Sequence, residues 1–441
     1  MQFIKTASRS RFIISSSIAT VIVFSLYLFI LISDSNSSAD KVKHIYFVDN
    51  ISPAHKKVID LFNQKYKGSI QVESIDLPFS KFSTNERKEL FARYLRSKSE
   101  QIDVFSVDQI WLPRFARWCE PLDKYLSAEE KETILPNVLH ACYYNDTLVA
   151  VPLFVDIGLM YYRKDLIGKL PDAAAIEHAL KNSISWEEFV SLGKRFRKEK
   201  NPFYIFQADN YEGLMCCFNE MLEGLQKPMY NNDSLFLRSP EAVKSLTLLV
   251  DLVHRYKLSP SGVTHFKEMD SYEYFLNHNG VFLRGWPNFL RDYESVYGAT
   301  GLAKEIGKAP LPHFTGHPTA STMGGWNLML SKYSVQKREA MIFIKFLMSE
   351  EAQKLMYEEG GYVPSNSALY ADAGYLQQYP DLKFYQQLFS EGVQRPAHPE
   401  YTKISDIISG YLKQSINKTM TPKEALARAE AQIRIEGVFE K

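Results

Sequence analysis

Residue patterns that usually carry catalysis or bind metal are missing from this sequence. It has no HExxH zinc motif, no GxSxG nucleophile elbow, no GxGxxG dinucleotide loop and no calcium loop. Gly301 and Gly307-Lys308 resemble a phosphate loop, but the glycines are six apart instead of five, and Ala309 replaces the Ser or Thr that would meet Mg²⁺. The 10 histidines have no ligand spacing, and no pair of carboxylates marks a glycosidase dyad. We therefore expect no catalytic residues, no metal site and no cofactor.

Composition and charge favour a large globular protein with a neutral or modestly charged ligand. The 441 residues suffice for two or three domains or one large split domain, and 45% of them are hydrophobic. Lys+Arg number 52 and Asp+Glu 51; without residues 1–39, which hold three of these cations and one acid, 49 basic residues face 50 acidic ones. This balance argues against nucleic acid, which demands a clustered basic surface. The 13% of aromatic residues predict a large aromatic core or, alternatively, an aromatic-lined ligand surface.

The four cysteines are too few for a disulfide scaffold, and no CxxC pair is present. Cys216 and Cys217 are adjacent, which is poor geometry for a bridge. Cys119 and Cys142 remain open at this point: they either pair in an oxidising compartment or are free buried thiols.

The N-terminal segment 1–39 predicts export from the cytoplasm. Residues 12–32 form a run of 21 uncharged residues, about 32 Å long as a helix and long enough to cross a bilayer. Basic residues precede the run and Asp34 follows it, which orients the rest of the chain outward. Two interpretations fit: a signal peptide with a small-residue cleavage site at Ser37-Ser38-Ala39, or an uncleaved membrane anchor. No cysteine follows the run directly, so a lipoprotein is not expected.

The residues after this segment alternate between strand and helix patterns. Strand, helix, strand, helix and strand are predicted in turn for residues 44–49, 54–66, 70–77, 86–97 and 102–107. This alternation is typical of a parallel sheet with helices on its faces, where ligands bind at the carboxyl ends of the strands. Asp108 stands at one such end. Pro152, inside the strand-like run 148–155, and Pro310-Leu311-Pro312 predict two crossings between lobes, with mainly helical chain between them.

Several segments resemble the extracellular solute-binding proteins of bacterial ABC importers, of the maltose- and trehalose-binding type. The resemblance covers residues from about 44 to 435. It rests on the order and spacing of seven segments: Ile102–Leu122, Val151–Leu166, Ser185–Phe189, Arg284–Asn288, Met323–Leu328, Gly360–Pro364 and Arg395–Pro396.

This resemblance implies a periplasmic-binding-protein-like α/β fold, with two α/β lobes joined by hinge strands around a ligand cleft. Residues 40–152 plus 313–348 would form lobe one, and residues 153–312 plus 349–441 lobe two. The hinge is expected near 150–156 and 309–314. The lobes would close around the ligand.

The resemblance also implies which residues contact a sugar. Trp286 and Trp326 would stack on the apolar face of a pyranose. Gly325 would let the backbone approach the ligand. The remaining expected contacts are charged groups that hold the hydroxyls: Arg87, Asp108, Asp156 and Arg395.

Each of these residues also has a purely structural interpretation. Asp108 could cap a helix, Asp156 could pair with Arg163, and the two tryptophans could be core residues. Arg87 and Arg395 could lie on the solvated surface. Trp111 is predicted to pack beneath the site.

One departure from the family pattern concerns the loop after the first strand. The family often has a carboxylate in this loop, but the aligned position in this sequence is not a Glu. Asp49 or Asn50 would have to substitute for it. This departure leaves the identity of the sugar open.

The expected function is extracytoplasmic capture of a di- or oligosaccharide for an ABC permease by a monomeric protein that is not an enzyme. Two alternatives stay open. The chain could be a membrane-anchored sensor that presents its ligand-bound state to a receptor or kinase, or it could bind a solute other than a sugar.

Overall fold

The computed structural model describes residues 42–78, 84–196, 201–231 and 234–438. The predicted signal peptide or anchor, residues 1–39 with the apolar run 12–32, lies outside these ranges. Within them, no helix combines the length and apolar character needed to span a bilayer.

The described strands fall into two main sheets and one small hairpin. They are β1 (Lys43–Asp49), β2 (Ile70–Asp76), β3 (Val104–Asp108), β4 (Tyr143–Tyr144), β5 (Thr147–Leu148), β6 (Val151–Ile157), β7 (Leu159–Arg163), β8 (Tyr204–Ile205), β9 (Phe282–Gly285), β10 (Ile306–Ala309), β11 (Ser321–Leu330) and β12 (Gly392–Val393).

Helices cover both sheets and supply most of the C-terminal part. They are α1 (Pro53–Lys65), α2 (Thr84–Arg96), α3 (Leu112–Phe115), α4 (Ala128–Glu132), α5 (Pro136–His140), α6 (Lys164–Ile167), α7 (Ala173–Lys181), α8 (Trp186–Phe196), α9 (Glu212–Glu223), α10 (Pro240–His254), α11 (Glu268–Asn277), α12 (Phe289–Tyr297), α13 (Lys337–Met348), α14 (Glu350–Gly360), α15 (Ala368–Ala371), α16 (Ala373–Gln378), α17 (Asp381–Ser390), α18 (Tyr401–Ile416) and α19 (Pro422–Ile435). Short 3₁₀ turns include Gln109–Trp111 and Ala116–Trp118.

The first sheet contains the predicted β-α-β-α-β unit. Its strand order is β12-β11-β3-β1-β2, and β6 pairs with β11. β1 runs parallel to β2 and β3, whereas β11 runs antiparallel to β3 and β6. α1 shows how local sequence sets these elements: Ser52 caps it through His55 N, Pro53 occupies its first turn, and Val58 and Phe62 face the core.

The second sheet has the order β10-β7-β9-β8. The chain passes from the first sheet to the second at Gly158, which separates β6 from β7. It returns through the segment between Ala309, the last residue of β10, and Ser321, the first residue of β11. Pro152 lies inside β6, opposite Asn327 of β11. The residue boundaries given above for the two lobes remain a prediction.

Aromatic side chains fill both cores, in agreement with the first of the two interpretations of their abundance. Fully buried phenylalanines include Phe47, Phe62, Phe91, Phe105 and Phe189. Rings at Phe47 and Phe62 both pack edge-on against Phe343 of α13, which fastens this helix to the first sheet.

All four cysteines are free and buried. Cys119 Sγ lies 3.5 Å from Met329 Sδ, and Cys142 Sγ lies 3.5 Å from Asn327 Oδ1. Cys119 and Cys142 are therefore separate packing residues, which settles the open alternative in favour of free thiols. Burial raises the pKa of both thiols, so neither is a reactive thiolate.

Candidate functional site

Asp108 ends β3 and makes two kinds of contact. Its carboxylate accepts a hydrogen bond from Ile110 N at 3.2 Å, which caps the 3₁₀ turn that follows. It also accepts from Arg395, with 2.7 Å between Nη2 and Oδ1. The cap predicted as a structural alternative is present, and it coexists with a charge-assisted pair to another predicted site residue.

Arg395 is buried in a network of carboxylates and hydroxyls. Its guanidinium donates to Glu212 Oε1 at 3.0 Å as well as to Asp108. Glu212 also accepts from Tyr401 Oη at 2.7 Å and from Ser405 Oγ at 2.5 Å. Burial raises the pKa of Glu212, and the charge of Arg395 opposes that rise. The side chain of Arg395 is only 3% exposed, so its interpretation as a surface residue is wrong.

Trp326 lies on β11 directly opposite Asp108 of β3. Its indole is partly exposed, and the buried Trp111 packs edge-on against it with 5.7 Å between ring centroids. Trp111 is 1% exposed, which agrees with the prediction that it packs beneath the site.

Arg87 lies against the ring of Trp326, with its guanidinium carbon 4.7 Å from the centroid. It is 0% exposed, so it does not lie on a solvated helix face. Its Nη2 is 3.4 Å from Oδ1 of Asp49, a buried carboxylate that also faces His55 Nε2 at 3.3 Å. Burial raises the pKa of Asp49, but the hydrogen bond and charge of His55 and the charge of Arg87 outweigh it and leave the pKa lowered.

Two consecutive glycines on β11 make room for the next part of the site. Gly325 has φ +130°, and a Cβ there would stand 2.6 Å from Phe154 O. A Cβ on Gly324 would lie 3.4 Å from Asp156 Cβ and 3.5 Å from Trp286 Cζ3. Asp156 and Trp286 therefore flank the same glycine, although one belongs to β6 and the other follows β9.

Trp286 is partly exposed and held by buried neighbours. Tyr161 Oη donates to its carbonyl at 2.8 Å. The guanidinium carbon of Arg284 lies 4.0 Å from the ring centroid, a cation–π distance. Arg284 is itself paired with Glu220, at 2.6 Å between Nη2 and Oε1.

Asp156 does not pair with Arg163, because Arg163 forms two 2.7 Å hydrogen bonds with Asp165. Burial first, and then the carboxylates of Asp292 and Asp108, raise the pKa of Asp156, and Arg284 and Arg395 oppose that rise.

The structure thus brings the seven predicted residues into two groups joined by β11: Arg87, Asp108 and Arg395 lie with Trp326, and Asp156 and Trp286 lie beside Gly324 and Gly325. The sequence analysis missed several others that hold them: Gln109, Glu212, Glu220, Arg284 and Gln394. Gln109 Nε2 donates to Met323 O and to Gln394 Oε1, both at 2.8 Å, which joins the turn after β3 to the segment after β12. Arg284 was within a quoted segment, Arg284–Asn288, but its burial could not be read from that segment.

Among the described residues, no group of three or more His, Cys, Asp or Glu side chains is placed to hold a metal ion. Three acidic side chains of the site instead pair with arginine: Asp108 and Glu212 with Arg395, and Glu220 with Arg284.

Comparisons with known proteins bear directly on this arrangement. The profile of the family described as bacterial extracellular solute-binding protein matches residues 48–354. This chain belongs to that family. Among curated members, a probable ABC transporter-binding protein of Deinococcus radiodurans is 28% identical over 369 residues, which are 80% of this chain and 84% of that protein.

Solved structures of solute-binding proteins show the same two-lobed fold. Maltose-bound MalE3 of T. maritima is 30% identical, has a TM-score of 0.80 and is matched over 89% of this chain and 100% of its own. The GacH receptor of Streptomyces glaucescens is 19% identical with a TM-score of 0.76, over 91% of this chain and all of its own. The latter likeness shows the fold alone. The predicted fold class, two α/β lobes of the periplasmic-binding-protein type, is therefore confirmed.

Proposed function

We propose that this chain is an extracytoplasmic binding protein that captures a di- or oligosaccharide between its lobes and passes it to an ABC permease. The observation that carries the proposal is the pair of partly exposed indoles, Trp326 on the first sheet and Trp286 on the second. Asp108, which pairs with Arg395, stands opposite Trp326, and Asp156 flanks the same glycine as Trp286.

Sugar chemistry explains why these residue types suit the ligand. A pyranose has an apolar C–H face, which packs on an indole, and a rim of hydroxyls, which exchange hydrogen bonds with charged groups. Asp108 and Arg395 already hold each other, so both can turn part of their hydrogen bonds to hydroxyls without leaving an unpaired buried charge. Gly324 and Gly325 keep the strand between the two rings free of side chains.

The relatives support the ligand class and the partner. MalE3, at 30% identity, was solved with maltose bound, and the Deinococcus radiodurans protein is named for an ABC transporter. Members of the family act by binding, and we infer that this chain likewise turns over no substrate and acts as a monomer. The family is one of extracellular proteins, which supports an export signal or anchor in residues 1–39.

A thermal-shift screen of the purified protein against sugars, amino acids and polyamines tests this function. A ligand at 100 times its dissociation constant stabilises the folded state by about 2.7 kcal/mol, which raises Tm by several degrees. We expect such a shift with at least one di- or oligosaccharide. Shifts with amino acids or polyamines only would contradict the carbohydrate assignment.

Alanine variants of the two tryptophans separate stacking from nonspecific stabilisation. Trp286→Ala and Trp326→Ala should each weaken sugar affinity about tenfold or more, because each removes a stacking surface. The matched control is Trp118, the last residue of the 3₁₀ turn Ala116–Trp118. It is partly buried, and its ring packs against Phe115. Trp118→Ala should leave affinity within about twofold. Unchanged affinity in both site variants would contradict the stacking model.

A further inference from the structure

The buried ion pair between Glu220 of α9 and Arg284 of β9 lies directly behind the candidate site. Arg284 is 0% exposed and Glu220 is 7% exposed. Two donor atoms of the guanidinium reach the carboxylate, at 2.6 Å for Nη2 to Oε1 and 3.3 Å for Nε to Oε2. A bidentate pair of this kind fixes the plane of the guanidinium.

That fixed plane supports one face of Trp286. The guanidinium carbon lies 4.0 Å from the indole centroid, closer than the 4.7 Å between Arg87 and Trp326. With Arg284 on one face, the ring can offer only its other face to a ligand. The Trp286 carbonyl is held separately by Tyr161 Oη at 2.8 Å, so the backbone and the ring have independent supports.

The same carboxylate touches both connections between the two sheets. A Cβ on Gly158, the residue between β6 and β7, would stand 2.2 Å from Glu220 Oε1 and 2.9 Å from Arg284 Nη2. Thr322 N, at the start of β11, donates to the same Oε1 at 3.4 Å. Glu220 therefore contacts the outgoing and the returning chain as well as the arginine under Trp286.

We propose that Glu220 and Arg284 are positioning residues, which hold the Trp286 ring at a fixed angle to the hinge so that lobe closure brings its free face onto the ligand. This inference rests on the proposed function. It adds that the angle of the stacking surface is set by the hinge and not by contacts within the cleft. A merely structural pair would contribute to folding stability but not to the ring's orientation or to sugar affinity.

A second buried arginine in the same sheet, whose partner Asp165 is partly exposed, provides a matched control. Arg163 of β7 is 4% exposed and forms two 2.7 Å hydrogen bonds with Asp165. It lies at the opposite end of β7 from Leu159, which pairs with Gly285 beside Trp286. Arg163 thus matches Arg284 in residue type, burial and bidentate pairing but lacks a tryptophan.

The test compares Arg284→Lys with Arg163→Lys. Lysine keeps the positive charge next to the carboxylate but has no planar group to lie against an indole. We expect Arg284→Lys to weaken affinity for the sugar found in the thermal screen by about tenfold. Arg163→Lys should change it by less than about twofold, while both variants lose a similar few degrees of Tm. Equal affinity in the two variants would overturn the inference.

A spectroscopic readout without ligand keeps this test independent of the proposed function. The method is ¹⁹F NMR of protein labelled with 5-fluorotryptophan. The Trp286 resonance can be assigned because it is absent from the spectrum of Trp286→Phe. Arg284→Lys should shift that resonance, and Arg163→Lys should not. A Trp286 resonance unmoved by Arg284→Lys contradicts the inference even if no sugar binds. If Arg284→Lys does not fold, Glu220→Asp, which withdraws the carboxylate by one methylene, carries the same two measurements.

Discussion

At the scale of single residues, Asp292 and Asp156 have raised pKa values and so contribute to the pH dependence of stability. Asp292, in the first turn of α12, has its pKa raised to about 7 by burial, with a smaller contribution from the charge of Glu268. Asp292 in turn helps to raise the pKa of Asp156 in the candidate site. Both carboxyls therefore bind protons more tightly in the folded chain than in the unfolded one.

Replacement of Asp292 by Asn should stabilise the protein at high pH. Between about pH 4 and 7 the unfolded chain loses its Asp292 proton while the folded chain keeps it, so the free energy of unfolding falls as pH rises. Asp292→Asn removes this decrease in the free energy of unfolding, because asparagine does not titrate. We expect a gain of about 1 kcal/mol or more at pH 8 that vanishes near pH 4, measured by urea denaturation.

Asp165 is the control, because its pKa shift has the opposite sign to that of Asp292. The hydrogen bond from Arg163 lowers its pKa, so it stabilises the folded chain above about pH 4, and this stabilisation is lost as pH falls through the lowered pKa. Asp165→Asn should therefore destabilise the protein at pH 8 and have little effect near pH 3. An Asp292→Asn variant that behaves like Asp165→Asn would contradict the assigned pKa direction.

At the scale of elements, β11 is the strand on which the site is built. It pairs with β3 on one side and β6 on the other, and its register with β6 shifts between Trp326 and Asn327. Gly325 adopts φ +130° just before that irregularity. At this local distortion Trp326 is partly exposed, while its neighbours along the strand are buried.

Substitution of Gly325 by Ala should therefore be strongly destabilising. The added Cβ would meet Phe154 O at 2.6 Å and must also adopt an unfavourable positive φ. We expect a loss of about 3 kcal/mol or more by chemical denaturation. Gly316 has φ +79° but open space around its missing Cβ, so Gly316→Ala should cost only about 1 kcal/mol. Equal losses would show that the collision with β6 is unimportant.

At the scale of the whole molecule, one polar network ties distant parts of the chain together at the site. Arg395 follows β12, Asp108 ends β3 and Glu212 begins α9, and the arginine binds both carboxylates. Gln109 and Gln394 add a second link beside it. Ligand groups that enter this network would therefore act on two strands of the first sheet and on α9, whose Glu220 pairs with Arg284 of the second sheet, which is how binding can be coupled to closure.

Small-angle X-ray scattering tests that coupling. With saturating sugar, the radius of gyration should decrease, because the lobes close around the ligand. Trp286→Ala at the same sugar concentration should show little decrease, since its site is only partly filled. A radius of gyration unchanged by a sugar that demonstrably binds would contradict hinge closure.

The sequence by itself determined the broad class of the protein. The β-α-β-α-β alternation and the position of Asp108 after a strand depend on side-chain periodicity, which acts over a few residues. The order of short segments such as Arg284–Asn288 and Met323–Leu328 indicated the family, because each segment can be recognised from a few consecutive residues. These features survive without knowledge of which residues meet in space.

Only the tertiary structure decided which partners the site residues have. Arg87 and Arg395 had polar sequence neighbourhoods and equally good surface interpretations, yet both are buried against carboxylates far away in the chain. Glu220 and Arg284 are 64 residues apart, and no local pattern predicts their ion pair. Such pairs depend on how strands and helices pack, because a buried charge is stable only where the fold supplies an opposite charge at hydrogen-bond distance.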